Sequence, residues 1–483
     1  MKKLSEFMFA ITLLSVCVPL VTVNSQAVAA TNSSSKSNNS ISAEDLFLSG
    51  EDVFTPEQFV LDLQQALSTS VEAALALYDN VPEAYADDFD LLFLKAALYV
   101  SASKYNEAKA ICTSLVARDP KNTDVIALAA TIAKAQGNTS ERTKQLKALI
   151  AIDEYNIDAN MGLADDAFAK KNYKTARSYY QKALVREPRN QDALFGLGRA
   201  SYYLEDDKKA EKVFKTILED DPNYAPAYSY LGKLAGAHDE YYIASGYAKK
   251  AVDLDPSNYD YIMDYGMYEN GLGHFENAEK AWSKAISLRP NYFLAYVYRG
   301  GLYDEHEMFE KALSDYRTAI KLNPDYYFAY ESIGILSLHM EKWTEAREAF
   351  TKCYEKNNSN ISYPLMITYC YYREKKPQEA KKFSDSVLRK LDRSSIEYAM
   401  LRVYHDQGGE MPLPRRIAAI QNSNTRGKMY FYLGLLYDMY GGIEASMQYY
   451  AEVIKLNSPM FFEYRLAEWA VGSTSISSAG RMK

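Results

Sequence analysis

Five histidines are the first candidates for chemistry: His238, His274, His306, His339 and His405. The first four recur at a nearly constant interval, which invites the idea of a metal ladder. Packed helices lie about 8–10 Å apart, whereas zinc ligands must all sit within about 2 Å of one ion. Histidines one structural unit apart therefore do not share a metal, and they are expected at the surface. The acidic runs "DDFD", "LEDD" and "EDDP" lack the fixed ligand spacing of a calcium loop. No phosphate-binding loop, nucleophile elbow or glycine-rich dinucleotide turn is present. The expectation is a chain that is not an enzyme, with no catalytic residue, no metal and no cofactor.

Cysteine chemistry is equally sparse. Once an N-terminal export segment is set aside, Cys112, Cys353 and Cys370 remain. An odd number is not a disulfide framework. All three fall in helical patterns and are expected to be buried, and a Cys353–Cys370 bridge is the one pairing left open. The formal net charge of -8 argues against nucleic acid as a partner, because phosphate contacts need a basic footprint.

What positions side chains here is a repeat. Pro188, Pro222, Pro256, Pro290 and Pro324 are each 34 residues apart. Twelve residues before each proline stands an alanine, from Ala176 to Ala312, and Ala346 and Ala380 continue the series. Twelve residues earlier again come Gly198, Gly232, Gly266, Gly300 and Gly334. Four residues after the alanine, most copies carry a ring: Tyr180, Phe214, Trp282, Tyr316 and Phe350. Each period holds two apolar helical stretches and a stop, because proline cannot continue a helix. Asn223, Asn291 and Asp325 follow the proline and are expected to cap the next helix. Glycine inside a helix costs about 1 kcal/mol against alanine. Its recurrence therefore implies a close helix crossing, with Gly300 against Ala312.

This pattern resembles the tetratricopeptide repeat. The resemblance implies an all-α fold: a right-handed superhelical solenoid of stacked antiparallel helix pairs. Nine repeats are framed over 89–394, followed by a degenerate hairpin at 395–426 and one further repeat at 427–460. A helical cap hairpin is expected at 55–88, with Thr55, Pro56 and Gln58 as its start signal, and a capping helix at 461–472. Residues 473–483 are expected to form a disordered tail. At the other end, Lys2 and Lys3 precede an apolar stretch from Phe7 to Val23, and "QAVAA" follows. That order predicts a signal peptide over 1–29 and a disordered polar linker over 30–54. The chain is accordingly expected to be exported, to the periplasm or outside the cell. An uncleaved signal anchor is the alternative.

In each repeat, residues 5, 9 and 12 of the first helix share a face that packing within the repeat does not use. The family resemblance implies that this face lines a concave groove for peptides. At residue 5 stand Phe195, Met263, Val297, Glu331 and Leu365; at residue 9 stand Arg199, Lys233, Met267, Ile335 and Tyr369. These ten are the candidate peptide-binding residues. No copy has lysine at residue 5 with asparagine at residue 9, so the chain departs from the subtype that grips chaperone C-termini. The function expected is a non-catalytic scaffold or adaptor that binds a protein or peptide segment. A carrier of a small apolar, lipid-like ligand is the alternative, and a tight superhelix that partly buries the column is the competing account of its apolar character.

Overall fold

The computed structural model describes Phe54 to Gly480, with side chains as far as Gly472. The expected signal peptide and nearly all of the linker lie outside the described residues. Among the described residues the chain is all-α, with helices joined by short turns and no strand. No described helix is long and apolar enough to cross a membrane. Two compact units divide the chain, one ending at Tyr230 and the other beginning at Leu231.

The first unit opens with α1 (Pro56–Leu67), α2 (Val71–Ala76) and two 3-10 turns. Helix pairs follow: α3 (Phe89–Ser101) with α4 (Tyr105–Arg118), α5 (Thr123–Ala135) with α6 (Thr139–Ile152), α7 (Ile157–Ala169) with α8 (Tyr173–Arg186), and α9 (Gln191–Tyr203) with α10 (Asp207–Asp220). The unit boundary falls inside α11 (Ala225–Ala237). The second unit continues with α12 (Tyr241–Leu254), α13 (Tyr259–Gly271), α14 (Phe275–Leu288), α15 (Phe293–Glu305) and α16 (Phe309–Leu322). Then come α17 (Tyr327–His339), α18 (Trp343–Lys356), α19 (Ser362–Arg373) and α20 (Pro377–Leu388). The last are α21 (Ile396–Asp406), α22 (Leu413–Ala418), α23 (Ser423–Met439), α24 (Ile443–Lys455) and α25 (Phe462–Gly480). Within each unit, helices pack on their sequence neighbours, which is how a solenoid buries a continuous core from units too thin to fold alone.

Several local expectations shift. Asn223, Asn291 and Asp325 stand one residue too early to cap. The side-chain caps are Asn122, Asn156, Asn190 and Asn258, each accepting from a backbone N–H of the first helical turn. Tyr292 and Tyr326 occupy the same slot and cap nothing. Thr55 caps α1, but Gln58 bonds Asp62 instead of turning back. The turn between paired helices holds one left-handed residue per repeat, at Ser103, Gly137, Lys171, Glu205, Asp239, Gly273, Glu307, Glu341 and Lys375. Only two of these are glycine, so the period was not visible there as a composition signal.

Four of the five recurrent glycines, Gly198, Gly266, Gly300 and Gly334, face a ring instead of the alanine, while a Cβ on Gly232 would meet the Ala244 carbonyl oxygen at 3.3 Å. A Cβ on Gly300 would meet Tyr316 Cε1 at 3.2 Å, and one on Gly334 would meet Phe350 Cε1 at 2.8 Å. The alanine lies one turn away along the same helix, so the ring four residues on is what the glycine admits. At 395–426 the second helix is the short α22, whose Leu413 and Ile417 still enter the core. The closing helix runs to Gly480, past the end expected at 472, because no proline interrupts it and one glycine costs only about 1 kcal/mol.

Candidate binding faces

In the first helices that carry the recurrent glycine, its close contact with the partner helix and the buried alanines turn residues 5, 9 and 12 to the opposite face. In the first unit that face carries an aromatic patch around one arginine. The Arg199 guanidinium lies 4.2 Å from the Phe168 ring centroid and 5.5 Å from that of Phe195. Phe195 meets Tyr224 edge-on at 5.4 Å and Tyr230 at 5.7 Å. Phe195 and Arg199 are both half-buried. Arg199 Nε is buried and has no hydrogen-bond partner among the described residues. A planar cation stacked on rings is held in one orientation on this face. Phe168, residue 12 of its repeat, belongs to this patch although it was not among the ten candidates.

Lys233 differs. Its Nζ lies 3.5 Å from Asp264 Oδ2 in the second unit, so its charge is already matched. Burial pushes the Asp264 carboxyl up, and Lys233 opposes that shift. Met263 is half-buried beside Trp282, whose Nε1 donates to the Met263 carbonyl at 3.4 Å. Met267 is exposed and Val297 half-buried. Glu331 accepts a hydrogen bond from Tyr363 Oη at 2.5 Å.

The last three candidates are inside the protein. Ile335 is 9% exposed, Tyr369 3% and Leu365 0%. For Leu365 and Tyr369, both on α19, the first helices close on one another through a ring of hydrogen bonds. Tyr372 of α19 donates to the Tyr404 carbonyl of α21 at 2.8 Å. Tyr404 donates to the Tyr432 carbonyl of α23 at 2.7 Å, and Tyr432 donates to the Ser362 carbonyl of α19 at 3.2 Å. Three successive first helices therefore pack on one another, and the face that held Leu365 and Tyr369 becomes core. Tyr404 and Tyr432 are fully buried and Tyr372 half-buried, and all three bring large rings while satisfying their hydroxyls.

The remaining chemistry-bearing residues serve structure. Cys112, Cys353 and Cys370 are free and buried, so the Cys353–Cys370 pairing is not made. Burial pushes the Cys112 and Cys353 thiols up to about 12. His274 bonds Glu269 at 3.0 Å, and His306 bonds the Leu302 carbonyl at 3.0 Å. Among the described residues no three His, Cys, Asp or Glu side chains gather as metal ligands. A broad cleft at 103–107 with Gln136 and Asn138 is lined by polar side chains.

Residues 167–234 match the family model "Tetratricopeptide repeat". No curated protein matches the chain. Among solved structures, a tetratricopeptide repeat protein from Parabacteroides merdae is 17% identical over 51% of this chain and 97% of its own, with a TM-score of 0.40. PilW, described as a widely conserved type IV pilus biogenesis factor, is 19% identical over 42% of this chain and 94% of its own, with a TM-score of 0.37. YrrB, described as a tetratricopeptide repeat protein with an unusual peptide-binding site, is 22% identical over 41% and 99%, with a TM-score of 0.34. These likenesses say nothing about partner or activity.

Proposed function

We propose that this chain, a tetratricopeptide repeat protein, is a non-catalytic scaffold outside the cytoplasm that holds an extended protein segment against the Arg199 face. The observation that carries the reading is Arg199 itself. Its guanidinium is stacked on Phe168 and Phe195 with a buried donor left unused. A ligand carboxylate flanked by apolar side chains would pair with the half-buried guanidinium and cover the rings together. The negative net charge favours protein over nucleic acid as partner.

The test is a peptide array probed with purified chain and with Arg199→Ala. Bound peptides should share one acidic residue within an apolar stretch, and Arg199→Ala should lose them with helicity unchanged. Peptides retained by Arg199→Ala would refute the reading. Export rests on the basic, apolar and small-residue order at the N-terminus. N-terminal sequencing of the secreted chain should find cleavage near Ala29 or Ala30. A mature product that retains Phe7 would refute it.

A further inference from the structure

Stacking in a solenoid needs contacts only between neighbours. The closing helix α25 meets that need with one face. Tyr464 and Ala467, with Phe461 just before the helix, join the core shared with α23 and α24. A second face does something stacking does not require. It reaches back to α15–α18, with a sequence separation of 161 residues between Arg465 and Asp304.

The contact there is specific. Arg465 donates two hydrogen bonds to the Asp304 carboxylate, at 2.8 and 2.7 Å, and a third to the Asp304 carbonyl at 3.3 Å. Asp304 is residue 12 of its repeat, on the face expected to bind ligands. Its side chain is 13% exposed. Trp469, four residues after Arg465, places its ring 4.2 Å from His339 and 5.4 Å from Phe309. The Arg465 guanidinium stacks on Trp469 at 4.2 Å. Phe462, one turn before, stacks at 5.8 Å from Phe350. A forked arginine and a ring at i and i+4 are anchor chemistry for a bound helix.

We propose that this face of α15–α18 is a docking site for a partner's amphipathic helix that carries an arginine followed four residues later by a tryptophan, and that α25 holds the site in cis until such a helix displaces it. Asp304 selects the cation, and Phe309 with His339 receives the ring. The site lies wholly in the second unit. It is independent of the Arg199 reading, and either can fail alone.

The probe is a labelled synthetic peptide of residues 460–472, followed by anisotropy against the full chain. The double variant Arg465→Ala with Trp469→Ala removes both anchors of the cis contact, so that an added helix displaces α25 from the site more readily. It should take up the peptide at least tenfold more tightly than the unaltered chain does. Adding Asp304→Lys should abolish uptake, and a peptide with Arg465→Glu should restore it. A folded double variant with no gain in uptake would overturn the proposal, as would uptake indifferent to Asp304. A concentration-dependent dimer lost in the double variant would also overturn it, since the occupant would then be a second copy's α25. Should the double variant unfold, hydrogen exchange on the unaltered chain decides. Amides of α25 exchanging well before those of α23 support a releasable helix, and equal protection overturns it.

Discussion

Two glycine-to-alanine substitutions in the same repeat slot should differ sharply, and the difference is set by one ring in each case. At Gly334 a new Cβ would lie 2.8 Å from Phe350 Cε1 and 2.9 Å from Cζ. Phe350 is 0% exposed, so its ring has nowhere to retreat. At Gly300 the closest atom is Tyr316 Cε1 at 3.2 Å, and Tyr316 is 6% exposed, so a few tenths of an ångström of give suffice. Both changes gain the same helix propensity, about 1 kcal/mol. That gain cancels in the comparison. Overpacking costs about 1–3 kcal/mol, and the larger part falls on Gly334. Gly334→Ala is therefore expected to be less stable than Gly300→Ala by about 1–2 kcal/mol. Gly300→Ala itself should be near neutral. Urea midpoints at unchanged slope measure the difference. Adding Phe350→Leu should recover part of the loss in Gly334→Ala, because the two residues are in contact and their effects do not add. Equal costs at the two glycines, or no recovery with Phe350→Leu, would refute the glycine-to-ring account.

Other outcomes follow from buried chemistry. A thiol reagent at pH 8 should leave Cys112, Cys353 and Cys370 untouched in the native chain and titrate all three after denaturation, since each is buried and free. Asp315→Ala should cost about 1–3 kcal/mol, because half-buried Arg299, bonded to Asp315 at 2.7 and 2.8 Å, would lose its carboxylate and keep only Ser283. Removing the more exposed Lys342–Glu310 pair should cost about 0–1 kcal/mol in the same denaturation assay. Burial raises the Glu463 carboxyl above its usual range, against the pull of Lys428. A raised carboxyl binds its proton more tightly folded than unfolded. Its contribution is thus full below the ordinary value of 4.5 and is lost as pH rises through the folded value. Glu463→Gln should therefore gain stability relative to the unaltered chain as the pH is taken from 4 to 7.

Much of this architecture is written in local periodicity. The 34-residue spacing of proline, alanine, glycine and ring placed the helix pairs, because each signal acts within one repeat and each repeat touches its neighbours. Phe195 and Arg199 were legible for the same reason: their face follows from spacing along one helix. The caps expected at Asn223, Asn291 and Asp325 failed because only backbone geometry fixes where each helix starts, and the cap slot one residue on holds a tyrosine. What tertiary structure alone decided lies at longer range. Lys233 and Arg199 look alike in their columns, yet only Lys233 finds a carboxylate, Asp264. Leu365 and Tyr369 look like groove residues, yet the Tyr372, Tyr404 and Tyr432 ring closes three first helices over them. The landing of α25 on Asp304 joins residues separated by several repeats. A periodic pattern specifies which face a side chain occupies, and it carries no information about what distant helix will cover that face.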